Sequence, residues 1–400
     1  MTIELEKIDR HSFPMGVLDV VIKSDEQTLW AACMDGLYEL ALPPLNESKS
    51  ETTDGKGDGK PAEPKKTKPR RFGVHGSYVS SVACDEAAGK LYSTAFDGTL
   101  HVRDLNAVTS SLASPQENQG DSSATSDVDV PPMHAEKIHS FWSWDMQLSP
   151  DKKWIASVTG QYLAGSEEYD PAASDEPTVK IIDASTGRTV HALNMLPSVQ
   201  CVCFDAASKL VAAGNLMGDL AVWDVESGRQ MAAWRTKSFT SWGIIKSHCN
   251  IGGIFAVAFA PDSETLLAAG MGDMRDPMAG NGKQLWQRFA WRKETPEKVQ
   301  ETKGDQSGEG LMEALAWHPG GKQFVMAGRL RGGNWNAGIF DAESGNLIGQ
   351  AKTGMRITTA RYLQDGSQLL LAGMQGQPGP KDNHFPDFGY IERYRVVEKG

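Results

Sequence analysis

Along this chain a run of alternating apolar and polar residues ends on a bulky apolar side chain. A short polar turn follows, and a second apolar run ends near glycine. The clearest copy is Val257-Ala-Phe259-Ala-Pro-Asp-Ser-Glu-Thr-Leu266-Leu-Ala-Ala-Gly270. Period-two alternation puts successive side chains on opposite faces of a strand, and the turn residues fold the second run back on the first. The pattern recurs seven times. The first apolar residue after each turn is Leu29, Leu91, Ile155, Leu210, Leu266, Phe324 and Leu369. The preceding run closes on Ile22, Cys84, Leu148, Phe204, Phe259, Trp317 and Tyr362. Six of these pairs are seven residues apart, and Phe204 to Leu210 is six. Successive anchors lie 45 to 64 residues apart. A compact four-stranded repeat needs roughly 40–45 residues, so most units carry insertions.

Each unit reads as four short strands, a to d. In the fourth, these are 199–204, 210–213, 219–224 and 229–234. The c–d turns recur as Asp183-Ala-Ser-Thr-Gly187, Asp224-Val-Glu-Ser-Gly228 and Asp341-Ala-Glu-Ser-Gly345. Asp opens such a turn by bonding its own backbone, and Gly supplies the positive φ. Seven such units predict an all-β, seven-bladed propeller of four-stranded antiparallel blades, one domain over residues 1–400. The last unit reaches strand c at Tyr390–Val396 with little chain left for a fourth strand. The opening Thr2–Ile8 alternates and belongs to no unit, so it is expected to pair there and close the ring.

Trp223-Asp224 is the dipeptide that names the WD40-repeat family. Unit two offers His75-Gly76, Ser93 and Asp97-Gly98-Thr99, with Arg103 where tryptophan is expected. His139 and Ser157 stand at the matching offsets of unit three, while unit four has Ala213 and Met217 at the Ser and Asp positions. The chain thus resembles a divergent WD40-repeat propeller over nearly its whole length. The resemblance implies that His75, Ser93, Asp97, His139, Trp223 and Asp224 are structural and that the protein is a scaffold for other proteins.

Residues 43–69 are almost free of apolar side chains and 106–131 are rich in Ser, Asp, Asn and Gln, so both are expected to be mobile insertions between strands c and d of the first two units. Lys65-Lys-Thr-Lys-Pro-Arg-Arg71 is basic but carries no interleaved aromatic residue, so a solvated loop is the better reading than nucleic-acid binding. The net charge of −11 disfavours phosphate backbones and suits basic partners. No apolar run approaches the ~18 residues of a membrane span, and the N-terminus lacks the pattern of a secretory signal. Five cysteines, four of them in expected strands, read as reduced thiols of a cytoplasmic protein.

Long connections between strands b and c (160–177, 271–283, 329–336, 374–388) and between d and a (235–252, 296–310) gather on one face. They supply Trp242, Asp273, Arg275, Arg329, Arg331, Trp335, His384 and Asp387 as candidate partner-binding residues, since loops on a rigid scaffold usually carry binding. The acidic loop of unit three, including Glu176, favours basic groups. Asp382, His384 and Asp387 could hold a cation, but three ligands on one Pro/Gly-rich loop are a weak signal and a solvated loop is the better reading. No phosphate loop, His-Glu-x-x-His run or Gly-x-Ser-x-Gly elbow occurs, and no cofactor motif is found. The expectation is a non-catalytic platform, monomeric by itself, for a protein or peptide. The alternative is an enzyme or small-ligand binder with its site at the channel mouth.

Overall fold

The structure is a computed structural model, and it describes residues 2–44, 67–113, 127–163, 170–171, 176–242, 250–276, 281–381 and 385–399. Each sequence unit forms the expected a–b hairpin. Ile22 pairs with Leu29, Cys84 with Leu91, Leu148 with Ile155, Phe259 with Leu266, Trp317 with Phe324 and Tyr362 with Leu369. In the fourth unit Phe204 pairs with Val211, so Val211 rather than Leu210 is the equivalent position and the seven-residue spacing holds there too. The turns share one geometry. Glu26, Gly89, Lys152, Ser208, Ser263, Gly321 and Gly366 each sit in the left-handed region, one per hairpin.

The protein is an all-β propeller of four-stranded antiparallel blades. Five blades stand as separate sheets, formed by units one, two, three, four and seven. Units five and six do not separate as the repeat predicts. Their strands Leu266–Asp276, Asn281–Ala290, Glu309–Trp317 and Gln323–Gly332 run long, and Lys283 pairs with Glu309, fusing both units into one nine-stranded sheet. Packing nevertheless keeps step with the repeat. Among the described residues the apolar core divides into seven clusters, each shared by two consecutive units, with the last joining unit seven to unit one.

That last contact depends on the N-terminal strand. Thr2–Phe13 lies antiparallel to Gly389–Lys399, with Leu5 opposite Val396, and is the outer strand of unit seven. It is twelve residues long, where the alternation had marked only the first seven.

Two expectations about connections need correction. The segment after Asp104 is ordered: Leu105–Ala113 is an α-helix that buries Leu105, Val108 and Leu112 against units one and two. Asp104 Oδ1 caps it by accepting from Asn106 N–H at 2.7 Å and Ala107 N–H at 3.2 Å. Val128 and Val130 then hydrogen-bond Arg71 and Phe72 of unit one. Polar composition concealed one apolar stripe. The remainder of that insertion, and residues 45–66 of the other, lie outside the described residues. Likewise 296–310 is not all loop, because Glu297–Glu301 is the fourth strand of unit five.

Candidate functional site

The first strand of each unit faces the ring axis, and six of the seven carry a β-bulge at the same place. Pairing slips between Val17 and Asp19, Val79 and Ser81, Val199 and Cys201, Ile254 and Ala256, Met312 and Ala314, and Ile357 and Thr359. A bulge leaves one residue outside the ladder. These residues are Leu18, Ser80, Gln200, Phe255, Glu313 and Thr358, and all six line a central cavity of about 710 Å³.

The next position along the strand ties each of units one to four to the unit after it. Asp19 Oδ2 accepts from Val82 N–H at 3.1 Å, Ser81 Oγ from Met146 N–H at 3.1 Å, and Asp145 Oδ2 from Val202 N–H at 3.0 Å. Cys201 Sγ donates to Ile254 O at 3.8 Å. In units five and six the position is Ala256 and Ala314, so the cavity has one polar wall and one apolar wall. Burial pushes the Asp145 carboxyl up to about 6, although Val202 N–H opposes the shift. Asp19 is also raised by burial, against the pull of Arg361.

At the mouth, on the face of the b–c and d–a loops, five aromatic residues assemble. Phe96 and Trp142 stack with ring centres 4.6 Å apart, and Phe141 stacks on Trp142 at 5.1 Å. Trp144 stands edge-on to Phe96 at 5.3 Å, and Tyr78 lies 5.8 Å from Phe96. Trp144 Nε1 donates to Gly160 O at 2.9 Å, which fixes its ring. Tyr78 is 41% exposed and Trp142 39%, and Leu196 in the following d–a loop is 53% exposed. Phe96 and Trp144 also line the cavity, so the exposed patch continues into the channel.

The residues expected from sequence do not converge on one site. Arg329 and Arg331 are exposed at the end of one strand, and they face Arg356 and Glu313 closely enough for the other two guanidiniums to help burial lower the Arg329 pKa. Asp273 is exposed on the extended hairpin of unit five. Asp387 is exposed and accepts from Ser12 Oγ at 2.9 Å. Trp335 is not a surface residue: it is 3% exposed, packs with Trp286 and Phe340 in the core between units five and six, and donates from Nε1 to Gln306 O. The backbones of Trp242 and Arg275 lie in strands, but their side chains are outside the described residues, as is His384. Glu176 is not free for a partner, because it accepts from Ser140 N–H and lies 3.1 Å from Lys180 Nζ. The aromatic mouth was missed although Phe141-Trp-Ser-Trp144 is conspicuous in the sequence. It sits in a short connection, and attention to long ones passes over it.

The buried His–Ser–carboxylate contacts that the WD40 resemblance implies form in units two and three. His75 Nε2 and Ser93 Oγ are 2.8 Å apart, Asp97 Oδ2 lies 3.8 Å from His75 Nδ1, and Arg103 Nη1 donates to Ser93 Oγ at 3.2 Å. In unit three His139 Nε2 meets Ser157 Oγ at 2.9 Å, with Glu176 in the carboxylate place 3.6 Å from Nδ1. Trp223 is buried, and Asp224 Oδ1 accepts from Ser227 N–H at 2.8 Å in its turn. The chain matches no protein-family model and no curated protein. The site is therefore argued from geometry alone.

These networks give unit two a pH response. Burial lowers the pKa of His75, and burial together with His75 and Arg103 lowers that of His101 from 6.5 to about 4. The rings stack 3.7 Å apart. Both bind protons less readily in the folded protein than in the unfolded chain, so stability falls as pH drops below 6.5. Asp97 adds a loss of the same sign below the ordinary carboxylate range, because hydrogen bonds from His75 and Thr99 outweigh burial and hold its pKa down. Thermal melts should show the melting temperature declining between pH 7 and pH 5, and His101→Asn should flatten that decline. Asp145, whose folded carboxyl is raised, acts in the opposite sense below about pH 6, so a decline equally steep in native protein and His101→Asn would refute the assignment.

Proposed function

We propose that this protein is a divergent WD40-like propeller of seven blades, with the nine-stranded sheet counted as two blades fused above the rim. The seven inter-unit core clusters and seven equivalent hairpin turns support that count. Its function is to hold a protein or peptide partner on the loop-rich face, without catalysis. The aromatic arc of Tyr78, Phe96, Phe141 and Trp142, exposed at Tyr78 and Trp142 and half-buried at the two phenylalanines, carries this reading. Monomeric proteins rarely leave such an arc open unless something binds it, and aromatic side chains dominate the energetics of interfaces. The fixed ring presents the arc already ordered, so little freedom is lost on binding. A net charge of −11 and the channel carboxylate Asp145 beside Trp144 favour a partner segment with basic and apolar side chains.

A cytoplasmic setting goes with this reading, since Cys33, Cys84 and Cys201 are buried free thiols. No helix among the described residues is long and apolar enough to cross a membrane.

Probing an array of immobilised peptides with the intact protein tests the proposal. Retained sequences should be rich in Lys, Arg and aliphatic residues. Their affinity should fall roughly tenfold or more in Trp142→Glu with the melting temperature unchanged. Binding that survives Trp142→Glu, or selects acidic peptides, would overturn it.

A further inference from the structure

Three carboxylates line the central cavity among the described residues, and two of them have a cationic partner. Asp19 receives Arg361 Nη2 at 2.9 Å, and Glu313 receives Arg356 Nε at 2.5 Å. Among the described residues Asp145 has neither Lys nor Arg within ion-pair distance. Its oxygens take the N–H groups of Val202 at 3.0 Å and Met146 at 2.8 Å, with Gln147 Nε2 at 3.3 Å and Ser81 Oγ at 3.4 Å. Neutral donors satisfy such a carboxylate but do not balance its charge, and a buried charge without a counter-charge is costly.

The surroundings of Asp145 suit one kind of counter-charge. Above it, Phe96 and Trp144 line the passage from the mouth, with the Trp144 ring fixed by its bond to Gly160 O. Aromatic faces attract cations and tolerate hydrocarbon. Further around the ring Cys201, Ala256 and Ala314 form an apolar strip, and the charged residues beyond it, Glu313 and Arg356, are already paired with each other. A volume of about 710 Å³ lies within the range of organic-ligand sites. A hydrated inorganic ion would leave the apolar wall unused.

We infer that the channel is a binding site for an aliphatic ammonium group, seated on Asp145 with its hydrocarbon body along the Cys201–Ala256–Ala314 wall and the Trp144 ring at its entrance. The inference rests on the channel and not on the docking arc, so either can fail alone. The ammonium belongs either to a free amine or to a lysine side chain of a docked partner.

The test compares hexylamine with hexan-1-ol, and a lysine-containing peptide with its norleucine counterpart, by calorimetry on the intact protein. Hexylamine binding roughly tenfold or more tighter than the alcohol identifies a free amine, since a charged hydrogen bond is being added. The same preference for lysine over norleucine, without hexylamine binding, identifies a side chain. In either case Asp145→Asn, which keeps an acceptor for Val202 N–H, should abolish the preference. Should that variant not fold, amide spectra of the native protein decide: Val202 and Met146 should shift with the amine or lysine ligand and not with its neutral partner. No preference in either pair, a preference that persists in Asp145→Asn, or unmoved Val202 and Met146 signals would overturn the inference.

Discussion

Removing residues 1–13 is expected to abolish the cooperative thermal transition, not merely to lower it. The N-terminal strand makes eleven residue pairs with Gly389–Lys399. Its two ends enter different cores: Ile3 packs with units six and seven, Phe13 with units seven and one. Burying side chains of that size contributes about 1.5–3 kcal/mol each. The deletion also strips a buried charge of its partner. Arg393 is 3% exposed and donates to Asp9 and to Pro43 O. Leaving such a cation unpaired costs about 3–5 kcal/mol. Lys7–Glu392 at 2.5 Å and Arg395–Glu6 at 3.2 Å are lost as well, though the second, being exposed, contributes little. Together these terms reach the ~5–15 kcal/mol that is the whole stability of an ordinary domain. Calorimetry on the shortened chain checks it, and a melting temperature within a few degrees of native would show that the ring closes without this strand.

That strand was legible because the alternation at Ile3 and Leu5 and the missing fourth strand of unit seven point to the same pairing. The a–b hairpins were legible for a similar reason, since their apolar positions face a neighbour in every copy. Even the one irregular spacing proved to be a misplaced anchor, corrected by Val211. What escaped is whatever depends on the ring as a whole. Asp145 reads as an ordinary polar position of a strand, and only closure places it in a cavity whose two arginines are taken by Asp19 and Glu313. The fusion of units five and six depends on how far two hairpins rise, which Lys283 and Glu309 do not announce. A tryptophan in the long b–c connection 329–336 points to a surface anchor, yet Trp335 packs in the core between units five and six. In both errors a residue's neighbours in the chain differ from its neighbours in space.

The second large effect is expected at Arg103, where the family pattern and this chain part company. Its side chain is 1% exposed and has no carboxylate within ion-pair distance among the described residues. Burial brings its pKa down to about 10, so it remains charged at neutral pH. It is held by oxygens: Nη1 donates to Ser93 Oγ at 3.2 Å, Nη2 to Val74 O at 2.8 Å and Nε to Val130 O at 3.0 Å. Gly73 makes room for it, since a Cβ there would lie 2.9 Å from Nε. Arg103→Ala should therefore leave those acceptors unpaired beside a new cavity and destabilise the protein by about 3–5 kcal/mol in urea unfolding. Arg103→Trp supplies the indole found at the corresponding position of WD40 repeats and can still donate to Ser93. It cannot also reach both carbonyls, and its stability should fall between native and alanine. Because Val130 follows the helix Leu105–Ala113 and Val74 follows the outer strand of unit one, this one guanidinium also holds the insertion against two units. Amide exchange at Val108 and Leu112 should accordingly accelerate in Arg103→Ala more than exchange in the distant unit six. A uniform change across both regions, or a loss below about 1 kcal/mol, would mean that the arginine only fills space.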